Sequence, residues 1–171
     1  VAAFRNAKIH HLKAISLTHI ADFCFDGCNA LVLNAPQLQK IGSKVFRRVK
    51  SLSLNSKLYN LEKQHLKINS KEINTQFQSC DAFSSVDCGA DVITSNSFSD
   101  CQMLETFTSS CTIIERNAFK NCSKLKEIVV SDDCVVHEQE GCSQLQIKTA
   151  DYEIADGVLS SYSEIIAADK F

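Results

Sequence analysis

The feature that most constrains this chain is a self-similarity at a step of 21 residues. The segments ITSNSFSDCQMLETF (93–107) and IERNAFKNCSKLKEI (114–128) align without a gap, placing Ile93, Phe98, Cys101, Leu104 and Phe107 over Ile114, Phe119, Cys122, Leu125 and Ile128. Within one copy the apolar residues recur every third position, which matches neither the 3.6-residue period of a long helix nor the alternation of a long strand. Upstream, IADFCFDGCNALVL (20–33) and IGSKVFRRVKSLSL (41–54) repeat the same positions 21 apart. Phe4 precedes Phe25, and Phe77 and Cys80 precede Phe98 and Cys101, by that same step of 21. Downstream, EGCSQLQI keeps Cys142, Leu145 and Ile147 after a small deletion.

The register breaks once, where 31 residues separate Phe46 from Phe77. LYNLEKQHL (58–66) can be laid over LQKIGSKVF (38–46), which makes Leu66 the phenylalanine equivalent; alternatively LKIN (66–69) is a strand copy matching LVLN and LSLN. The sequence leaves both open. A unit of this length cannot bury its apolar side alone, and stacked units can. The segments at Leu31 to Leu33, Leu52 to Leu54 and Leu125 to Val130 are therefore expected to form a parallel ladder with rungs about 4.8 Å apart. Phe and Cys would sit on a tight or single helical turn that closes each coil, each Phe packing on the next.

On these residues the chain resembles the BspA-like leucine-rich repeats, whose pattern reads roughly I-G-x-x-A-F-x-x-C-x-x-L-x-x-I. The resemblance covers nearly the whole chain and is weakest from about Ser56 to Glu72. It implies a repeat solenoid: a leucine-rich-repeat horseshoe with a parallel β ladder and short helical turns closing each coil. The repeats would occupy residues 1–150, irregular around 56–76, with a C-terminal hairpin or capping segment over 151–171. There YEIADGVLSSYSEII offers Asp156-Gly157 as a two-residue turn. The chain departs from the family in its scarcity of the usual proline and glycine, since Pro36 and Gly42 are nearly alone in those roles.

Composition agrees with one globular unit: 44% of the 171 residues are apolar and 22% charged, and five glycines and one proline leave no flexible linker. No apolar run approaches the roughly 20 residues that span a bilayer, and the N-terminus lacks the order of a signal peptide. The chain opens mid-repeat at Val1 without a polar cap, which predicts that it is part of a longer chain or of a larger assembly.

The nine cysteines form no C-x-x-C pair, and their odd number argues against a fully paired disulfide framework. Cys28, Cys80, Cys101, Cys122 and Cys142 hold the repeat's cysteine position, where a small apolar residue with a weak S–H donor suits a crowded interior. With Phe25, Phe46, Phe77, Phe98 and Phe119 they are the expected repeat core, and Val49 at one rung implies that no sulfur chemistry is needed there. Cys24, Cys88, Cys111 and Cys134 are off that register and are expected as exposed thiols or as a single disulfide in an oxidising setting. Zinc sets such as Cys24, Cys28 and His19, or Cys134, His137 and Cys142, each borrow a core cysteine, so no metal or other cofactor is expected.

No nucleophile elbow, P-loop, dinucleotide fingerprint or H-E-x-x-H is present, and the histidines are scattered, so the chain reads as a non-enzyme. Charge is more informative. Residues 1–39 carry three basic and two acidic residues, 40–71 nine and one, and 72–171 six and seventeen, giving net charges of +1, +8 and −11. The basic block comprises Lys40, Lys44, Arg47, Arg48, Lys50, Lys57, Lys63, Lys67 and Lys71. Stacking of neighbouring repeats is expected to gather it into one region that attracts acidic protein surfaces or anionic glycans. It lacks interleaved aromatics, which argues against nucleic acid.

The first reading of function is a protein-interaction module of adhesion or scaffold type, using the basic cluster and outward strand positions such as Ser53 and Glu127. The resemblance implies a cell-surface or secreted location in bacteria or protists, in adhesion to host matrix, mucosa or other cells. The second is a structural subunit inside the cell, as in a cytoskeletal assembly. The many free thiols fit a reducing compartment, and the sequon Asn121-Cys122-Ser123 lies against the core.

Overall fold

The computed structural model describes residues 3–149 and two short segments, 153–155 and 158–160. In chain order the first strands are β1 (His11–Lys13), β2 (His19–Ile20), β3 (Ala30–Asn34), β4 (Lys40–Ile41), β5 (Ser51–Asn55) and β6 (Tyr59–Glu62). Then come β7 (His65–Ile68), β8 (Glu72–Ile73), β9 (Ser85–Cys88), β10 (Val92–Ile93), β11 (Thr106–Ser109) and β12 (Ile113–Ile114). The last are β13 (Glu127–Val130), β14 (Val135–Val136), β15 (Gln146–Thr149), β16 (Glu153–Ala155) and β17 (Val158–Ser160). Together they wind a β-solenoid of about seven coils.

One side of every coil contributes to a nine-stranded ladder in the order β1, β3, β5, β6, β7, β9, β11, β13, β15. Side chains alternate across a strand, so the L-x-L segments place one row inward. In β5, Leu52 and Leu54 are buried while Ser51, Ser53 and Asn55 face solvent. Fully burying each such leucine is worth about 1.5–3 kcal/mol. A shorter ladder, β8–β10–β12–β14 with β2–β4 as a separate pair, runs along another side.

The coils close through turns, and this corrects the expected helical turns: among the described residues there is no helix. In four coils two positions, four residues apart, hold positive φ, and Ser79 and Gly141 hold it singly in two others. The four pairs are Phe23 and Gly27, Lys44 and Arg48, Asn96 and Asp100, and Asn117 and Asn121. Left-handed residues at both ends confine the segment to successive i→i+3 turns, such as Cys24 N to Ala21 O at 3.3 Å and Cys28 N to Phe25 O at 3.0 Å. Asn and Asp tolerate this conformation, which is why the best repeats carry Asn96 with Asp100 and Asn117 with Asn121 at these places. At Gly27 a Cβ would lie 2.1 Å from Asn6 Oδ1, so this coil tolerates only glycine.

The turns stack as a third ladder. Phe4 N donates to Cys24 O at 3.0 Å, Phe25 N to Val45 O at 3.2 Å, and Phe98 N to Ala118 O at 2.9 Å. Inside it the phenylalanine rings form a column: Phe4–Phe25 at 5.6 Å, Phe25–Phe46 at 6.2 Å, Phe46–Phe77 at 5.6 Å, Phe77–Phe98 at 6.1 Å and Phe98–Phe119 at 5.4 Å.

The long interval between Phe46 and Phe77 is a β-hairpin grown out of the strand side. β5 pairs antiparallel with β6, and β6 antiparallel with β7, before the parallel order resumes from β7 to β9. The ladder is therefore not parallel throughout. Leu66 lies in β7 opposite Val86, so LKIN is a strand copy and Leu66 does not take the phenylalanine place. The turn side skips the insertion: Lys44 N donates to Thr75 O and Phe46 N to Gln76 O, each at 3.0 Å.

The shorter ladder is interrupted there, since β4 does not pair with β8, and Gln76 fills the break. Its buried amide donates from Nε2 to Ile41 O at 3.4 Å and accepts at Oε1 from Asn74 N at 2.6 Å, standing in for a peptide unit. Gln76→Ala is expected to leave these backbone groups unpaired and to lower stability by about 1–3 kcal/mol. Urea denaturation checks this; an unchanged midpoint would show that the bridge contributes nothing.

The 153–155 and 158–160 strands pair antiparallel, with Ile154 opposite Leu159. The Asp156-Gly157 turn expected between them lies outside the described residues.

Candidate interaction surface

The turn column explains the repeat cysteines. Each points its thiol at a main-chain carbonyl of the preceding coil: Cys28 to Phe4 O at 3.2 Å, Cys101 to Phe77 O at 3.1 Å, Cys122 to Phe98 O at 3.1 Å and Cys142 to Phe119 O at 3.0 Å. Cys80, just after the insertion, reaches Val49 O at 3.5 Å instead. Burial pushes the Cys80 thiol up to about 12 and that of Cys142 to about 11, so both remain protonated donors. Phe25, Phe46, Phe77, Phe98, Phe119 and the cysteines at 28, 80, 101 and 122 are buried, and Cys142 is half-buried.

Of the two expectations for the off-register cysteines, exposed thiols or a single disulfide, exposure fails: Cys24, Cys88 and Cys111 are buried and Cys134 is partly so. Cys88 ends β9 on an inward position, and Cys111 follows β11 where the chain turns across the core. Cys111 and Cys134 lie 3.6 Å apart at sulfur. Among the described residues no group of three or more His, Cys, Asp or Glu converges as metal ligands would.

The basic block is distributed around the coils. Lys40 is on β4; Lys44, Arg47 and Arg48 are on the turn column; Lys50 precedes β5; Lys57, Lys63 and Lys67 belong to the hairpin region; Lys71 precedes β8. Lys71 pairs with Asp91 at 2.9 Å. Lys63 and Gln64 form the hairpin tip, both at positive φ (49° and 65°), the conformation of a type I′ turn.

Arg47 and Arg48 serve the interior. Asp26, whose side chain is fully buried, receives Arg47 Nε at 3.1 Å on Oδ1 and its other nitrogen at 2.8 Å on Oδ2. Arg48 adds contacts at 3.0 and 2.9 Å, and Arg5 one at 3.1 Å. Residues 5, 26 and 47 are 21 apart, so one carboxylate clasps arginines from the coils on either side. Burial alone would raise the Asp26 carboxyl, but hydrogen bonds and charge from Arg47 and Arg48 outweigh it and hold it below the usual range. Arg5, Lys44 and Arg47 also lie over the Phe23 ring, 5.6–5.9 Å from its centre. Composition counted Arg47 and Arg48 as surface charge, because Asp26 is remote in the linear sequence; the 21-residue step from Arg5 to Asp26 to Arg47 was the signal that could have found the clasp.

In the acidic half four cations are matched across coils, Arg116 with Glu138, Lys120 with Glu140 at 2.7 Å, Lys126 with Glu105 at 3.1 Å and Lys148 with Glu127 at 2.7 Å, while Lys124 reaches Met103 Sδ at 3.3 Å. Glu127, expected as an outward contact, is thus half-buried in a pair, whereas Ser53 is exposed.

The outer face of the long ladder is flat and small-featured. Lys67, Asp87, Thr108, Val129 and Lys148 form one row across β7 to β15, and His65, Ser85, Thr106, Glu127 and Gln146 the next. A shallow groove of about 200 Å³ at its end is lined by Asp87, Cys88, Thr108, Ser109, Val130 and Ser131 among others. Ligand pockets run to roughly 300–1,000 Å³, so this groove is small for an enclosed small molecule. No described helix is long and apolar enough to cross a membrane.

Coils about 21 residues long, stacked on a largely parallel ladder over an apolar interior, are the architecture of a leucine-rich-repeat solenoid. The family model for the BspA type leucine rich repeat region matches residues 1–67 and 56–163 in six copies, and the chain belongs to that family. No curated protein matches it. Among solved structures it is similar to a leucine rich cell surface protein from Faecalibacterium prausnitzii A2-165, with 15% identity and a TM-score of 0.42 over 87% of this chain. The match covers 62% of that chain, under two thirds of its length.

Proposed function

We propose that this chain is a non-enzymatic protein-interaction module of adhesion type that works at a cell surface. The observation that carries the reading is the continuous nine-stranded ladder, whose outward rows carry mostly polar and charged side chains along the solenoid. Such faces recognise macromolecules by extended contact rather than by enclosure. Membership of the BspA type family supports the surface location.

The inserted hairpin is the docking site we assign to the partner. It widens the strand face by two strands and brings the exposed Lys63 and Lys67 to it, with Lys50 exposed just ahead of β5. The partner is an acidic protein surface, drawn in by a positive edge whose exposed Lys50, Lys63 and Lys67 are in no ion pair among the described residues, although Asp87 lies opposite Lys67 in the strand register. Reversing Lys44, Arg47 and Arg48 would also dismantle the Asp26 clasp, so Lys50, Lys63 and Lys67 are the cleaner set. Changed together to Glu they are expected to weaken binding by roughly tenfold or more and to flatten its salt dependence. Binding to acidic proteins captured from the native source, measured at low and high salt, checks this. Unchanged affinity would refute the docking site, and selective capture of sulfated glycans would replace the protein partner.

The nine free thiols favour a second reading, a structural subunit held in a reducing compartment.

A further inference from the structure

Cys111 and Cys134 meet at the corner where the long ladder passes into the short one, with their sulfurs 3.6 Å apart. Cysteines stacked in register on parallel rungs point the same way, which suits a disulfide poorly. These two are staggered: β12 and β14 pair Ile113 with Val135, which sets Cys134 beside Thr112 rather than beside Cys111. The segments are fastened around them by Val135 N donating to Thr112 O at 2.9 Å and Ser131 Oγ to Cys111 O at 3.4 Å.

The pair is also set apart chemically. The repeat-position cysteines at 28, 80, 101, 122 and 142 spend their S–H bonds on carbonyls, whereas Cys111 and Cys134 face each other. The hydrogen bond from Cys134 brings the Cys111 thiol down to about 7 against the opposing effect of burial, while the same bond raises that of Cys134. Cys111 is buried and Cys134 partly exposed, so one thiol is reachable and its neighbour is ready to attack.

We infer that Cys111 and Cys134 are a redox modification site, a dithiol that closes to a disulfide joining two adjacent coils. The oxidant is a low-molecular-weight disulfide such as oxidised glutathione. Cys134, the reachable thiol, passes its proton to the Cys111 thiolate beside it and attacks one glutathione sulfur, forming a mixed disulfide and releasing one glutathione thiolate, which takes that proton from Cys111. The Cys111 thiolate then attacks Cys134 Sγ and expels the second glutathione thiolate, which is protonated in turn. Two protein thiols become one disulfide, and one glutathione disulfide becomes two thiols. The sulfurs close from 3.6 Å to about 2.05 Å, a movement within the reach of side-chain rotation.

The test treats the folded full chain with oxidised glutathione, blocks remaining thiols with iodoacetamide under denaturant, and maps the unreduced digest by mass spectrometry. The expected result is a peptide linking Cys111 to Cys134, with seven of the nine cysteines alkylated. The melting temperature should rise by roughly 5–10 °C and fall back on reduction with dithiothreitol. Cys134→Ser, at the partly exposed position, should melt like the reduced wild type and show no such rise. Nine alkylated cysteines, a linkage to any other cysteine, or glutathione retained on Cys134 would each overturn the assignment.

Discussion

Phe98→Ala is expected to lower the free energy of unfolding by about 3–5 kcal/mol, the cost of truncating a fully buried phenylalanine that the surroundings cannot collapse around. Phe98 is fully buried, stacked between Phe77 and Phe119 and met edge-on by Phe83 and Phe107. Phe4, at the start of the same column, is 36% exposed and has a described ring neighbour only in Phe25. Phe4→Ala should therefore cost less than about 1–2 kcal/mol, below even the full burial value of one such side chain. Because each coil touches only its neighbours, the Phe98 change should also uncouple the halves of the stack and broaden the transition. Urea denaturation of both variants makes the comparison. Equal losses at the two positions would mean that the column is not what holds the coils.

Asp26→Asn is expected to cost about 1.5–3 kcal/mol, because the buried carboxylate's charge-assisted hydrogen bonds to three partly exposed arginines are replaced by an amide that can accept only on one side. The pH dependence follows from the direction of the shift. A carboxyl held below its ordinary value contributes stability that is complete above the unfolded value of about 3.9 and is lost as pH falls through the lower folded value. Wild type should thus lose stability on acidification below about pH 4, and Asp26→Asn should lose less over the same interval. Parallel curves for the two proteins would show that the clasp carries no titrating stability.

Much of this fold was legible because a repeat states each structural rule several times. The L-x-L segments gave the inward row of the ladder, and Phe and Cys at fixed steps gave the turn column. The turn type was less accessible: the helical turn expected from the spacing is replaced by paired left-handed residues, visible in Asn96, Asp100, Asn117 and Asn121 but masked where Phe23, Lys44 and Arg48 take the same conformation. Lys63 and Gln64 hid the hairpin for the same reason, since they occupy a turn that asparagine and glycine usually announce. The block count of charge missed the clasp, because pairing partners lie one coil away and a tally by segment separates Asp26 from Arg47. Whether Cys88 and Cys111 would be exposed or paired was not legible, because position within the repeat says where the chain is, and not how the adjoining coil covers it.

All of these readings rest on the turn side of the stack running without a break past the hairpin. Amide hydrogen exchange tests this directly. Lys44, Phe46 and Arg48, whose amides donate across the insertion to Thr75, Gln76 and Ser79 at 3.0 Å, should be protected as strongly as Asn96, Phe98 and Asp100, which donate to the next coil in the regular region. Free exchange at 44, 46 and 48, with protection kept at 96, 98 and 100, would mean two separate solenoids and would contradict the account.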